Sequence, residues 1–536
     1  MGRPAKKDVL EVTAEEISGV RSEVEKSDLS PRSKAILLTL IEEIVAIKKT
    51  KKEQKAKLDR IRRMLGKSSE KRPSKESKPE DDKKERQKNH GRLAADDYQT
   101  SKTVTHPHQH LKVGQQCPDC GHGTLQRTQP GKVIRLVGNT PIEAELHQPE
   151  KLRCGGCGQV FTAELPAEVS EEKADASANA LVAFFRFGMG IPHYRLAMIQ
   201  RAMGVPVPTS TQYEMVEMLW TQVVPVFKML LQMAAGCPLM FVDDTPSKVL
   251  EFIKDREERK AAKERVGIFT TAIVARHESN DIHLFFTGRK HAGENLGELL
   301  KHRDPDSSPP IQMSDALSRN TPKDHLTIVA LCLVHGRRNF IDCESAFPDE
   351  SAYVIERIGL VYKNEGHIRK EGMNDQQRLE YHQAHSQLPM AEIKAYAESK
   401  LAGKDVEPNS SLGQAFNYMI KFWSGLTKFL EVPGAPLDNN EAERLVKRFI
   451  MYRKNSLFYL TENGARVGDC LMSLIQTCIA ADENPVEYLT VLQKNSQHVA
   501  KKPQLWLPWN YRDILWSLAP KSETVSAETV FSNTAS

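Results

Sequence analysis

Aromatic side chains are absent from the beginning of this sequence of 536 residues. Residues 1–97 contain no Phe, Trp or Tyr, so we expect little hydrophobic core in that region. The opening residues, MGRPAKKDVLEVTAEE, include no apolar stretch of signal-peptide length. The longest uninterrupted apolar run, IVALCLV at 328–334, is far shorter than a membrane span. We therefore expect a cytoplasmic protein without a membrane partner.

Cysteine is also sparse, and its spacing argues against a secreted disulfide framework. Four of the nine cysteines form two Cys-x-x-Cys pairs, and a glycine follows the second cysteine of each pair. Four thiolates suit one tetrahedral, structural Zn²⁺, with redox-active dithiols as the alternative. Four nearby histidines offer substitute ligands: His106, His108, His110 and His122. The predicted zinc ligands are Cys117, Cys120, Cys154 and Cys157.

Charge is distributed unevenly along the chain. Residues 48–92 contain 19 Lys and Arg against 8 Asp and Glu, although the whole chain carries a formal net charge of only +5. A basic segment attached to a mildly acidic body is typical of a protein with a polyanionic partner. The alternative is a solvated charged linker.

The N-terminal region contains one heptad pattern. Seven of nine seam positions are apolar, which predicts a coiled coil that joins protomers into a homo-oligomer, or else one long helix packed on its own chain. The segment after Gly66 has the composition of a disordered basic linker. The seam positions are Leu37, Leu40, Ile44, Ile47, Lys51, Gln54, Leu58, Ile61 and Leu65.

Two helices are predicted around the break GVPVPTS. The segment from ANALVAFF to VEMLW reads as helix, turn and helix, with Thr209 or Ser210 as the cap of the second helix. This pattern fits a helix-turn-helix that binds DNA and also fits an ordinary helical pair.

The hydrophobic pattern then changes from the period of a helix to that of β-strands. Strand-like runs begin at Pro238, Val266 and Asp281, and the last two are separated by a turn-like ESN. A helix (ENLGELLKHR), a short strand (PIQMSDA) and a longer buried strand (HLTIVALCLV) follow. After Phe340 the chain reads as helical for about a hundred residues. We expect a multidomain α/β protein whose mixed sheet is covered by helices.

Three carboxylates are candidates for one site on that sheet. Asp243 ends the first predicted strand, Asp315 ends the strand after the intervening helix, and Glu443 begins a later helix in DNNEAER. Three carboxylates on rigid elements suit two Mg²⁺ ions that act on a phosphodiester. Without metal they would repel one another, by about 4 kcal/mol for two unit charges 4 Å apart at an effective dielectric constant near 20.

Several longer words in the sequence resemble the transposases of the insertion sequence 66 family. They are FVDDTPSKVL, CLVHGRRNF, LDNNEAERLVKRFIMYRKNSLF, SLIQTCIAADENPVEYLTVL and LPWNY, and the similarity extends from the coiled coil to about Tyr511. The resemblance implies a DDE-type catalytic domain of RNase H-like fold with a helical insertion before the last acid. It also implies that Asp243, Asp315 and Glu443 bind the metal. The second acid of the family usually opens an Asp-Gly-Tyr word, where this chain has SDALSRN.

Neighbouring acids compete with the outer two members of this triad. The family pattern favours Asp243 over Asp244, and Glu443 over Glu441. Asp438 is expected to cap the helix that carries Glu443.

Basic side chains near these acids are candidates for contacts with DNA. Cys332 and His335 form a C-x-x-H word that related transposases also carry beside the active site. We expect His335 and Arg337 to face DNA, with a structural His and a solvated Arg as the alternative. Further phosphate-contact candidates are Arg444, Arg453 and Lys454.

These observations predict a bacterial, nucleoid-associated DNA transposase with two Mg²⁺ per active site and one structural Zn²⁺. The alternatives are a DNA-binding protein that has lost the chemistry and a structure-selective nuclease. The expected segments are an N-terminal helical and coiled-coil region (1–66), a basic disordered linker (67–104), a zinc ribbon (105–166), a helix-turn-helix-like DNA-binding region (167–236), the first part of the catalytic core (237–340), a helical insertion (341–436), the last part of the core with the Glu helix (437–492) and a C-terminal tail (493–536).

Overall fold

The fold is taken from a computed structural model. It describes residues 14–46, 110–120, 122, 124–126, 140–153, 160–165, 173–254, 256–403 and 405–518. The chain divides into two compact units, one comprising residues 1–68 and 142–536 and the other residues 69–141.

The described part of the smaller unit is a short hairpin around the first Cys-x-x-Cys pair. Gln116 and Thr124 form an antiparallel bridge, and Leu125 donates a backbone hydrogen bond to Gln115 at 2.8 Å. Cys117 and Cys120 therefore lie in a turn that this bridge closes.

Five strands of the larger unit form one mixed sheet in the order β5–β4–β3–β6–β7. β4 is antiparallel to both β3 and β5, whereas β6 is parallel to both β3 and β7. This confirms the mixed sheet expected from the sequence. A separate antiparallel pair, β1–β2, precedes it. The strands are β1 (Lys151–Arg153), β2 (Val160–Thr162), β3 (Leu239–Pro246), β4 (Phe269–His277), β5 (Asn280–Gly288), β6 (Ile311–Ser314) and β7 (Ile328–Leu331).

Helices make up most of the remaining described chain. Residues 31–46 are also helical. The α-helices are α1 (Ala14–Lys26), α2 (Ala176–Ala183), α3 (His193–Ala202), α4 (Thr209–Gly236), α5 (Arg256–Ala261), α6 (Ala292–Leu300), α7 (Leu333–Cys343), α8 (Pro348–Glu371), α9 (Asp375–His385), α10 (Gln387–Ala402), α11 (Ser411–Lys421), α12 (Trp423–Leu426), α13 (Asn440–Ser456), α14 (Glu462–Ala480), α15 (Pro485–Lys494), α16 (Ser496–Lys501) and α17 (Tyr511–Leu518).

Two hydrophobic clusters organise the larger unit. The first joins the sheet to α4, α6, α13 and α14. The second is built from the helices of the segment between β7 and α13, with Phe340, Ile358 and Phe416 among its fully buried members. The helical stretch predicted after Phe340 is therefore present, and it has a core of its own.

The heptad seam is described only at its beginning. Leu37, Leu40 and Ile44 lie on the helix at 31–46 and are 37%, 48% and 49% exposed. The seam positions from Ile47 to Leu65 lie outside the described residues. Three exposed apolar side chains in one seam suit a coiled-coil partner, and the coiled coil stays a prediction.

Two details expected from the sequence are wrong. The N-cap of α4 is Pro208 and no side chain caps the helix, because Thr209 and Ser210 already lie inside it. The run HLTIVALCLV is not one long strand either, since β7 ends at Leu331 and α7 begins at Leu333. The chain turns there because the Leu333 N–H donates to the carbonyl of Leu437 at 2.9 Å rather than continuing the sheet ladder.

Helix α4 is long and apolar enough to span a membrane by length and composition, and no other helix among the described residues passes this test. Its residues Leu219, Val223 and Leu230 are fully buried in the cluster around the sheet. In all, 33% of its most apolar 18-residue window is buried inside the protein, and core helices of soluble proteins can pass the same test.

Candidate active site

Asp243 and Asp315 lie on neighbouring parallel strands. The register of β3 and β6 pairs Leu239 with Ile311 and Phe241 with Met313. Continued by two residues, this register aligns Asp243 with Asp315, which directly follows β6. The two carboxylates thus lie side by side on neighbouring strands. The sequence predicted that β3 ends at Asp243, but the strand continues to Pro246 alongside β4.

The environment of Asp243 disfavours a bare carboxylate. Burial, followed by the negative charges of Asp315, Glu443 and Asp244, raises the pKa of Asp243 to about 7. The backbone N–H of Asp244 opposes this shift by donating to Asp243 Oδ1 at 2.8 Å. A cation bound beside Asp243 would remove the electrostatic cost, because an opposite charge favours the ionised form.

Asp244, the competitor of Asp243, is already paired. Its side chain is 3% exposed and lies between His291 Nδ1 at 3.1 Å and Arg319 Nη2 at 3.4 Å. His291 is the N-cap of α6, and its backbone N–H donates to Glu294 Oε2 at 2.7 Å. Asp244 therefore links β3 to α6 and to the turn after Asp315, which favours Asp243 as the acid left for a metal.

Asp315 is held in place by the turn that follows it. The side-chain amide of the buried Asn320 donates to Asp315 Oδ1, and the Leu317 N–H donates to the same oxygen at 3.3 Å. Burial raises the pKa of Asp315, while the Leu317 N–H and the charge of His335 oppose the rise. The departure SDALSRN therefore supplies its own supporting amide through Asn320.

Glu443 lies in the first turn of α13. Its Oε1 atom is buried without a hydrogen-bond partner and is 4.0 Å from His335 Nδ1. Glu441, by contrast, pairs with Arg444 at 2.5 Å. The expectation that Asp438 caps this helix is wrong, because the N-cap of α13 is Asn439 and no side chain caps the helix. Asp438 lies one residue earlier and accepts from the Asn440 N–H at 3.2 Å.

Asn439 is a residue that the sequence patterns did not single out. It is 1% exposed, and its amide Nδ2 donates to the Val242 carbonyl at 3.0 Å. Its backbone N–H donates to Cys332 Sγ at 3.3 Å, and its carbonyl accepts the Glu443 N–H at 3.1 Å. One buried residue thus joins β3 through its side chain, and the start of α7 and the Glu443 helix through its backbone. Its position inside the word DNNEAER is the sequence signal that could have identified it.

The basic residues predicted to contact DNA differ in their exposure and in their contacts. Arg453 donates to Thr245 Oγ1 at 3.2 Å and to the carbonyl of Pro246, so it holds the end of β3. Arg444 is exposed and bound to Glu441, and Lys454 is exposed. Arg337 is half-buried on α7, where its charge opposes the rise in the pKa of Tyr362.

The donor set of the site suits a hard divalent cation. Asp243, Asp315 and Glu443 supply carboxylate oxygens, which Mg²⁺ prefers. The unpartnered Oε1 of Glu443 and the raised pKa values of Asp243 and Asp315 are features that a bound cation would resolve.

The predicted zinc ligands are only partly described. Cys154 and Cys157 lie outside the described residues, in the connection between β1 and β2. Each Cys-x-x-Cys pair is flanked by paired backbone segments, and the zinc site stays a prediction.

Comparison with known proteins identifies the family. The family model described as "Transposase IS66 family" matches residues 172–467. Two proteins of Sinorhizobium fredii (strain NBRC 101917 / NGR234), both described as uncharacterized, are similar over most of the chain. Protein y4jD is 24% identical over 413 residues, 71% of this chain and 76% of y4jD. Protein y4hP is 22% identical over 389 residues, 68% of this chain and 67% of y4hP. The matched region contains Asp243, Asp315 and Glu443, and the chain belongs to the IS66 family of transposases.

Proposed function

We propose that the protein is a DDE-type DNA transposase with an RNase H-like catalytic core, which cleaves the ends of its element and joins them to target DNA. The observation that carries this proposal is the alignment of Asp243 with Asp315 across β3 and β6, with Glu443 close enough to raise the pKa of Asp243. Family membership supplies the substrate class, and the three acids supply the chemistry.

The three acids are proposed to hold two Mg²⁺ ions. When bound there, Mg²⁺ supplies the positive charge that activates a water or a 3′-hydroxyl and stabilises the leaving oxygen of a phosphodiester. Asp244, through His291 and Arg319, fixes the strand that carries Asp243. Asn439 fixes the helix that carries Glu443. The protein's contribution is therefore a rigid arrangement of carboxylates. The repulsion between these carboxylates would favour the binding of cations.

Binding of DNA is proposed to rest on phosphate contacts. His335 and Arg337 on α7, with Arg444 and Lys454 on α13, are the candidates near the acids. The basic linker, the zinc ribbon and the helices around residues 176–236 would add contacts with the element ends, all weakened by salt. The N-terminal coiled coil would pair protomers so that both ends are held together, and small accessory proteins are further expected partners in the bacterial cytoplasm.

The decisive experiment is an end-cleavage and strand-transfer assay. DNA carrying the element's own ends is incubated with the full chain and Mg²⁺ or Mn²⁺, and nicked and joined products are separated on sequencing gels. We expect metal-dependent products that disappear in Glu443→Gln. The matched control is Glu441→Gln, which changes an acid on the same helix turn that is bound to Arg444 and should keep most of the activity.

Two results would contradict the proposal. Equal loss in both glutamine variants would show that Glu443 has no special role. Tight, specific binding of the ends without any product, even with accessory proteins supplied, would instead support a DNA-binding protein that has lost the chemistry.

A further inference from the structure

A second set of metal-ligand atoms meets at Glu443. The ligand atoms of Cys332, His335 and Glu443 all lie within 4.8 Å of one another. His335 Nδ1 and Glu443 Oε1 are 4.0 Å apart, which is too far for a hydrogen bond, and neither buried atom has a hydrogen-bond partner. Two buried polar atoms without hydrogen-bond partners lie beside one thiol, an arrangement that the three-carboxylate site does not require.

The chemistry of this set differs from that of the three acids. A sulfur, an imidazole nitrogen and one carboxylate oxygen are the ligands of Zn²⁺, whereas Mg²⁺ prefers oxygen alone. Bond lengths of about 2.0–2.3 Å in a tetrahedral zinc site place the ligand atoms about 3.3–3.6 Å apart. The distance between His335 Nδ1 and Glu443 Oε1 is 4.0 Å and all three ligand atoms lie within 4.8 Å of one another, so binding requires the ligands to approach by about 1 Å at most.

The surroundings already orient the ligands. Cys332 is the N-cap of α7 and His335 lies in the first turn of the same helix, so the C-x-x-H spacing places both on one helix end. The Asn439 N–H donates to Cys332 Sγ at 3.3 Å, a contact that fixes the sulfur as outer-shell groups do around bound metals. Glu443 reaches the set from α13, one turn after Asn439.

We propose that Cys332, His335 and Glu443 form a site for a borderline-soft divalent cation such as Zn²⁺, and that an ion bound there inhibits the enzyme by withdrawing Glu443 from the Mg²⁺ site. The inhibitory part rests on the proposed function, because it requires Glu443 to be the third catalytic acid. The binding part does not. Glu443 belongs to both ligand sets, so the two kinds of ion compete for one carboxylate.

Binding is tested on the full chain without DNA. The protein is titrated with Co²⁺, whose thiolate absorption reports a sulfur ligand, and bound metal is counted by mass spectrometry. The predicted four-cysteine site is present in every variant and contributes equally. We expect Cys332→Ser to bind one equivalent less than the wild type. Cys343→Ser, the matched control, changes another buried cysteine on α7 and should bind as the wild type does.

A variant that keeps the thiol guards against a folding defect. His335 is 30% exposed, so His335→Gln should fold, as thermal melting would verify, and should weaken Co²⁺ binding at this site at least tenfold. Identical stoichiometry and spectra in the wild type, Cys332→Ser and His335→Gln would overturn the proposed site.

Inhibition is tested separately with saturating Mg²⁺ and increasing Zn²⁺. With each variant normalised to its own zinc-free rate, the wild type and Cys343→Ser should lose cleavage at micromolar Zn²⁺. Cys332→Ser should need at least tenfold more Zn²⁺. Equal sensitivity of all three, or cleavage supported by Zn²⁺ alone, would overturn the inhibitory role. Absence of any cleavage with Mg²⁺ would count against the transposase chemistry, while the Co²⁺ titration would still decide the metal site.

Discussion

Asn439 donates its side-chain amide to the carbonyl of Val242, the residue that directly precedes Asp243. The first and third acids are 200 positions apart in sequence, yet this one hydrogen bond connects the strand of one to the helix cap of the other. The positions of Asp243 and Glu443 are therefore coupled through a buried amide rather than set independently.

Replacing Asn439 should separate positioning from binding. Asn439→Ala removes the link to Val242, so we expect single-turnover cleavage to fall at least tenfold, while the affinity for end DNA changes less than twofold. The lost hydrogen bond should lower the free energy of unfolding by about 1–2 kcal/mol. Asn440→Ala is the control, because Asn440 uses its backbone N–H to contact Asp438. A normal cleavage rate in Asn439→Ala would contradict the positioning role.

The two adjacent aspartates should respond oppositely to removal of their charge. In metal-free protein at pH 8, Asp243→Asn removes a buried negative charge and its repulsion by Asp315 and Glu443. We therefore expect the free energy of unfolding to rise by about 1–3 kcal/mol. Asp244→Asn instead weakens the pairing with His291 and Arg319 and should destabilise. Thermal melting in EDTA measures both, and added Mg²⁺ should raise the melting temperature of the wild type more than that of Asp243→Asn. Destabilisation by both changes would contradict this.

The edge strand β5 is covered by a row of polar side chains on α14, which we call the polar ladder. Asp469, Ser473 and Thr477, spaced four residues apart, accept the backbone N–H groups of alternate β5 residues. The donors are Thr287 at 2.6 Å, Phe285 at 2.9 Å and His283 at 3.0 Å. The helix thus satisfies the edge strand as a sixth strand would, and it blocks pairing with another chain.

Loss of one rung of this ladder should be costly. Ser473→Ala leaves the Phe285 N–H buried without a partner, and we expect a loss of about 1–3 kcal/mol in the free energy of unfolding. Urea denaturation measures it. Ser399→Ala removes an exposed serine whose hydroxyl bonds to its own helix and should change stability by less than about 0.5 kcal/mol. Equal small effects would show that the ladder carries little energy.

Asp469 should make stability fall as pH rises. Burial raises the pKa of Asp469 to about 7, although both Thr287 contacts oppose this. Because the pKa is higher in the folded than in the unfolded state, the stability that the neutral acid contributes is present below about pH 4 and is lost towards pH 7. We expect the stability of the wild type relative to Asp469→Asn to decrease by a few kcal/mol between pH 4 and pH 8, measured by urea denaturation. A difference independent of pH would contradict the shift.

The sequence predicted the parts of the site that depend on local pattern. Strand-like runs indicate β3 to β6, and acids at matching positions of parallel neighbouring strands lie close together. The proximity of Asp243 and Asp315 could therefore be predicted, whereas the continuation of β3 to Pro246 could not. The family pattern added Glu443.

The remaining features depend on contacts that no local pattern records. Asn439 acts through Val242 and Cys332, and Asp244 through His291 and Arg319, which are far away in sequence. The predicted end of β7 was wrong for the same reason. The run IVALCLV is uniformly apolar, so nothing within it marks the point after which the Leu333 N–H turns to the distant Leu437 carbonyl.

An ion network centred on Glu365 lies in the helical insertion and contacts the loop that leads to the Glu443 helix. Burial would raise the pKa of Glu365, but contacts with His382, Arg378 and Arg369 outweigh it and lower the pKa to about 2. Arg378 also donates to the Ala435 carbonyl at 2.7 Å, in the loop that leads to Asn439. The network therefore holds the end of the insertion, from which the chain continues to the third acid.

The two arginines on Glu365 provide a matched pair for testing this connection. Arg378 is 11% exposed and Arg369 is 74% exposed, while their distances to the carboxylate are 3.0 and 3.1 Å. Arg378→Gln leaves a buried carboxylate with less compensation and frees the Ala435 carbonyl, so we expect a loss of about 3–5 kcal/mol and slower cleavage. Arg369→Gln removes a solvent-screened pair and should cost less than about 1 kcal/mol without affecting cleavage. If both variants lose the same stability by urea denaturation, or if Arg378→Gln cleaves at the wild-type rate, the insertion does not position the third acid through this network.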